Sequence, residues 1–199
     1  MGIEQIIIPR IAPLAGGMTV RRTLPFQARR MIGPFTFLDE MGPITLSDMA
    51  NMDVPPHPHI GLATVTYLFS GEMFHRDSLG SKILIKPGDV NWMTAGRGIV
   101  HSERMPDAFK KSRGILHGLQ AWVALPLEHE ETNPEFSHYE KQELPAFEHD
   151  GSLVSLIAGT VLQKTSPVKT LSPLFYFVVH IPFNSEINES DSEDKVFLL

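Results

Sequence analysis

The sequence predicts an all-β protein, folded as a barrel or sandwich. Its apolar segments are short, rich in Val, Ile, Thr and Phe, and broken throughout by 15 Gly and 16 Pro in 199 residues. Strands separated by tight turns produce that pattern. No amphipathic stretch is long enough for a helix of three turns, and no short repeat recurs.

Taken in order, Ile3–Pro9, Met18–Leu24 and Phe35–Asp39 read as early strands between Pro and Gly breaks. Ile60–Phe69 is a longer strand closed by a turn at Ser70-Gly71, and Lys82–Lys86 ends at Pro87-Gly88-Asp89. Val90–Met93, Ile99–Glu103 and Ile115–Leu125 complete a first set. From Pro126 to Asp150 Glu and His become dense and apolar periodicity fades, as in a solvated linker. Ser152–Ala158 and Leu174–Ile181 are again strand-like, while Asn184–Asp194 carries five acidic residues and reads as a frayed tail. The expected organisation is a first domain over residues 1–125, a linker over 126–150, and an incomplete second β region with an acidic tail over 151–199.

Hydrophobic residues make up 42% and charged residues 20%, the balance of a globular chain with a sizeable core. Cysteine is absent, which excludes disulfides and thiolate ligands. No secretory leader and no membrane-length apolar run is visible, so a soluble, cytoplasmic protein is expected, or a nuclear one in a eukaryote. The net charge of −6 is uneven, with +3 over residues 1–113 and −9 over 114–199. No Lys/Arg-rich run marks a nucleic-acid-binding stripe.

The chemistry is concentrated in two pairs of residues spaced two apart: His57 with His59, and His101 with Glu103. Both pairs lie in strand-like segments, where residues two apart share a face. Prolines at 55, 56 and 58 restrict the backbone around the first pair and place it at a strand edge or start. Gly96 and Gly98 let a loop tuck tightly before the second. Three imidazoles and one carboxylate converging on a point form a site for one divalent transition metal. Fe, Mn, Co, Ni, Cu and Zn all accept such donors. A buried histidine bonded to a nearby acid is the alternative, and the coincidence of two pairs favours the metal.

Other residues carry weaker signals. His75, Arg76 and Asp77 line the mouth of a pocket or end a surface hairpin, and Trp92 and Trp122 read as core. His117 and Gln120 fall on opposite strand faces, so at most one points inward. Arg21-Arg22 and Arg29-Arg30 read as exposed strand ends.

At these positions the chain resembles the pirin family of the cupin superfamily. The matching stretches are Pro56–Tyr67 (PHPHIGLATVTY), His75–Gly80 (HRDSLG), Pro87–Glu103 (PGDVNWMTAGRGIVHSE), Gly118–Val123 (GLQAWV) and Gly33–Pro43 (GPFTFLDEMGP). The resemblance implies a cupin-type, jelly-roll-like β-barrel followed by a partial second cupin-like region. It also implies metal ligands at His57, His59, His101 and Glu103, with Thr64 in the slot where other cupins carry a glutamate. The family's usual metal is iron, so Fe(II) is the expected cofactor. Bacterial-type members resemble quercetin 2,3-dioxygenases, which implies an oxidoreductase acting on flavonol-like substrates with Glu103 as catalytic base. Animal members imply the alternative, a metal-responsive regulator that docks on another protein without turnover. The expected partners are thus a small aromatic substrate or a protein, with a homodimer covering exposed sheet edges. Family members have two barrels and exceed 200 residues, whereas here the second begins and stops.

Overall fold

The computed structural model describes residues 5–14, 17–46 and 53–182. In chain order the strands are β1 (Arg10–Pro13), β2 (Thr19–Leu24), β3 (Phe35–Thr45), β4 (Val54–His59), β5 (Leu62–Ser70), β6 (Met73–Asp77), β7 (Lys82–Ile85), β8 (Val90–Thr94) and β9 (Ile99–Arg104). A five-residue helix α1 (Asp107–Lys111) precedes β10 (Ile115–Ala124). After it come β11 (Glu135–Tyr139), β12 (Ala146–His149), β13 (Ser152–Ala158), β14 (Thr160–Val161), β15 (Lys164–Thr165) and β16 (Tyr176–His180).

These strands form a seven-stranded antiparallel sheet ordered β1-β2-β3-β10-β5-β8-β11 and a four-stranded sheet ordered β4-β9-β6-β7. A three-stranded sheet, β12-β13-β16, and a two-stranded ribbon, β14-β15, follow. The topology is cupin-like, but the expected closed barrel is not formed. Among the described residues β1 and β11 end the large sheet, β4 and β7 end the small one, and no strand pairing joins the two. Glycine corners account for the difference. The chain leaves β4 for β5 at Gly61 (φ +68°) and leaves β8 for β9 at Gly96 (φ +51°), left-handed conformations that glycine adopts without steric cost. Each corner turns the chain out of one sheet and into the other, so neither ladder continues round to close. The corners are bonded together: Gly61 N–H donates to Gly96 O, and Ala95 N–H to Leu62 O, both at 2.8 Å.

The large sheet is buried on both faces. Inward, Val20, Met41, Leu68 and Leu116 pack with Met73, Ile85 and Met105 of the small-sheet side. Outward, Leu38, Val65, Tyr67, Trp92, Ala121 and Val123 pack with Ile157, Ala158 and Val168 of the C-terminal part. Full burial of each Leu, Val or Ile contributes about 1.5–3 kcal/mol. Phe35 and Tyr176 meet edge-on at 5.5 Å, and Ser172 Oγ donates to Ala124 O at 2.6 Å, tying the C-terminal part down further.

Several boundaries differ from the sequence reading. Among the described residues the first strand is Arg10–Pro13, because Ala12 and Ile11 find partners in Val20 and Arg21; residues 5–9 of the expected Ile3–Pro9 strand are not in a strand, and the start of that segment lies outside the described residues. Residues 126–150 hold more than a linker: β11 pairs with β8 and extends the large sheet. As an edge strand it buries none of its side chains fully, and its two aromatics, Phe136 and Tyr139, pack on opposite faces, which weakens the apolar periodicity. The acidic tail Asn184–Asp194 lies outside the described residues.

Candidate metal centre

The linked corners set β4 beside β9, antiparallel, with His57 opposite His101. Strand parity then carries His59 to the face of His57. The ring centroids are 4.4 Å apart for His57 and His101, 4.9 Å for His59 and His101, and 5.0 Å for His57 and His59. One nitrogen from each of the three rings lies within 4.8 Å of the others. His59 and His101 are buried and His57 is partly so. Nδ1 of His57 lies 2.9 Å from the carbonyl of Pro55. As donor there, it leaves Nε2 as the lone-pair nitrogen facing its neighbours.

Glu103, two residues after His101, stands beside the three rings on β9. Among the described residues it falls outside the mutually close set. Its Oε1 lies 3.1 Å from His101 Nδ1 without hydrogen-bond alignment. Oε2 is buried with no partner, and so are both ring nitrogens of His101. Burial pushes the Glu103 carboxyl up to about 8. Burial, with repulsion from His57, pushes His59 down to about 4. Burial, then repulsion from His57, His59 and His75, pushes His101 down to about 2. His59 and His101 are therefore neutral at pH 7, the state in which a nitrogen offers its lone pair to a metal.

This donor set fits a divalent transition metal. Three imidazoles converge, a carboxylate stands beside them, and buried polar atoms of His101 and Glu103 lack the protein partners that ordinarily satisfy them. No thiolate competes.

The surroundings contain residues that sequence reading undervalued. His75, on β6, is buried directly across from Glu103 and stacks on Phe136 at 4.1 Å. Its Nε2 bonds Asp77 Oδ2 at 2.9 Å, while Asp77 Oδ1 accepts from the backbone of Leu79 and Ser81. Burial would raise the Asp77 pKa, but these bonds outweigh it and hold the carboxyl below its usual range. The pair stands at the end of the β6–β7 hairpin but is buried against the site, with His75 5.3 Å from His101, and its two-residue spacing was the available signal. Trp122 lies 5.1 Å from His59 and stacks on Phe37 at 4.2 Å, so it borders the site. Thr64 is buried opposite Trp122 on the same inner face. Arg22 is no free strand end: it forms a two-pronged pair with Asp39, both bonds 2.7 Å, and lies over Phe37. Arg21 pairs with Glu40, which also bonds His117 at 2.9 Å.

Most of the chain is similar to known proteins. Residues 17–123 match the Pirin family. A pirin-like protein of Caulobacter vibrioides is 54% identical over 164 residues, covering 81% of this chain and 57% of that protein. The pirin of Rattus norvegicus is 37% identical over 161 residues, covering 80% and 52% respectively. The crystal structure of a quercetin 2,3-dioxygenase from Acinetobacter baumannii is 43% identical with a TM-score of 0.81, covering 88% of this chain and 56% of that one. The chain thus spans little more than half the length of these relatives.

Proposed function

The chain belongs to the pirin family, and from that premise we propose that it is a metal-dependent dioxygenase for flavonol-type substrates such as quercetin. The observation that carries this reading is the convergence of three close-packed imidazoles beside a buried carboxylate. His57, His59 and His101 hold one divalent transition metal, and Glu103 is the fourth ligand and the catalytic base. Iron(II) is the metal proposed, and Zn, Mn, Ni, Co and Cu suit the same donors. The Acinetobacter protein, described as a quercetin 2,3-dioxygenase, supports the substrate class.

When bound, the metal supplies Lewis acidity toward an enol oxygen and a redox partner for dioxygen. The residues of the chain supply the rest. Glu103 Oε2 has no other partner and accepts the proton of the substrate hydroxyl. Trp122 and Phe37 offer stacked aromatic surface against which a flat ring lies. The apolar cluster around Met41, Leu68 and Met105 closes one end against water.

The test is to reconstitute the protein with Fe(II) without oxygen, add quercetin, admit air and follow the flavonol absorbance. Loss of the absorbance in step with oxygen uptake supports the reading; a stable spectrum over many hours contradicts it. Glu103→Gln with metal content retained is expected to lose at least about 100-fold in rate, the usual contribution of a positioned base. Full activity in that variant rules out the base role.

A further inference from the structure

The wall facing Glu103 is polar where a sandwich interior is ordinarily apolar. Cross-strand register lines up Arg22, Asp39, Gln120, Thr66, Asn91 and His138 as one row across six strands of the large sheet. Asp39, Thr66 and Asn91 are buried. The row faces inward: Gln120 is two residues from Trp122, whose ring meets His59. One layer further, Met41 and Leu68 join the closed apolar cluster together with Met105 of the loop after β9. On β9 the position between His101 and Met105 on that face is Glu103, so the polar row and Glu103 occupy the same middle layer.

The hydrogen bonds within the row leave a defined surplus. Thr66 Oγ1 donates to Gln120 Oε1 at 2.9 Å, and His138 Nδ1 meets Asn91 Oδ1 at 2.7 Å. Both amides thus have their oxygens engaged, while neither amide nitrogen donates to any described residue. Asn91 is only 3% exposed. Neither nitrogen is among the fully enclosed polar atoms that lack a partner, so both donors are open to the space beside the row and free to meet an acceptor there.

We propose that Gln120 and Asn91 are specificity-determining residues, whose amide N–H groups bond ring oxygens of the substrate and select polyhydroxylated over sparsely substituted flavonols. This rests on the proposed function and deepens it. A substrate with its enol oxygen toward the histidines and Glu103 extends along the same layer. Its additional ring oxygens then meet the two amides. A ligand without those oxygens leaves the donors unpaired and gains nothing from them.

The test uses zinc-loaded protein, because zinc does not change oxidation state and so supports no oxidation, and reads binding by tryptophan fluorescence. Quercetin is compared with 3-hydroxyflavone, which keeps the enol and keto oxygens and lacks the other hydroxyls. In Gln120→Leu and in Asn91→Leu the dissociation constant for quercetin is expected to rise about tenfold, the worth of one hydrogen bond to a buried partner. That for 3-hydroxyflavone is expected to stay within about twofold, which also shows that the variant is folded. Gln120→Glu, similar in volume but without the donor, is expected to repeat the selective loss. Equal loss for both ligands, or no loss for quercetin, overturns the assignment while leaving the proposed function in place. Failure of the parent protein to bind either flavonol overturns the proposed function and this inference together.

Discussion

Glu103 stands between two protonation states. Buried beside neutral imidazoles, its carboxyl titrates at about 8 and is largely protonated at pH 7. As a ligand it must be ionised. Metal binding at pH 7 is therefore expected to release close to one proton per chain, measurable by calorimetry in buffers of different ionisation enthalpy. Glu103→Gln should abolish the release; an unchanged count would show that Glu103 stays protonated. The same groups shape stability without metal. His59 and His101 titrate far below an ordinary histidine, so the unfolded chain takes up protons below about pH 6.5 that the folded one refuses. Their contribution is complete above that pH and lost as pH falls. Glu103 acts in the opposite sense: its contribution is complete below about pH 4.5 and is lost as pH rises through about 8. Two histidines outweigh one carboxyl on the acid side, by a net slope of about 1.4 kcal/mol per pH unit for each excess proton. Thermal melts of metal-free protein should thus peak near pH 6.5, and the peak should move to higher pH with metal. A monotonic rise through pH 8 without metal would contradict the assignment for Glu103.

The placement of these side chains depends on the corners between strands. At Gly96 an added Cβ would collide with the carbonyl of Thr132, a backbone atom that cannot swing aside, in a conformation already unfavourable to other residues. Gly98 also has positive φ but open space around it. Gly96→Ala is expected to destabilise the fold by about 2–4 kcal/mol and to lower metal affinity, with a smaller effect from Gly98→Ala. Chemical denaturation and metal titration of both variants check this, and equal effects would show that the collision is relieved elsewhere. The strands themselves were readable in the sequence because a period of two is a local property. His57 and His59 share a side for that reason, and so do His101 and Glu103. What parity cannot supply is pairing. That Arg22 meets Asp39, or that His75 stands across from Glu103, follows from register between strands distant in sequence. Nor does parity fix rotamers: it put Glu103 on the correct face but could not say that its carboxylate approaches Nδ1 of His101.

Across the molecule, the large sheet is a shared floor, carrying the histidine sheet on one face and the C-terminal strands on the other. Ile157 and Ala158 are fully buried in one cluster with Val65, Trp92 and Val123. Ile157→Ala is expected to cost about 2–5 kcal/mol and to lower one cooperative transition rather than split it into two. Two separated transitions would show that the C-terminal strands fold independently. Sequence reading divided the chain at Pro126–Asp150 because composition changes there, yet β11 within that stretch pairs with β8 of the large sheet. The expected barrel failed for a related reason. Alternation describes each strand and says nothing about whether a sheet's two edges meet. The most direct test of the metal site is the metal content of Fe(II)-reconstituted protein after passage over a chelating resin, parent against His101→Ala. About one ion per chain in the parent, and nearly none in the variant, is the result expected of a site built on three imidazoles. A variant that keeps its full complement would show that the histidines on β4 and β9 do not hold the metal.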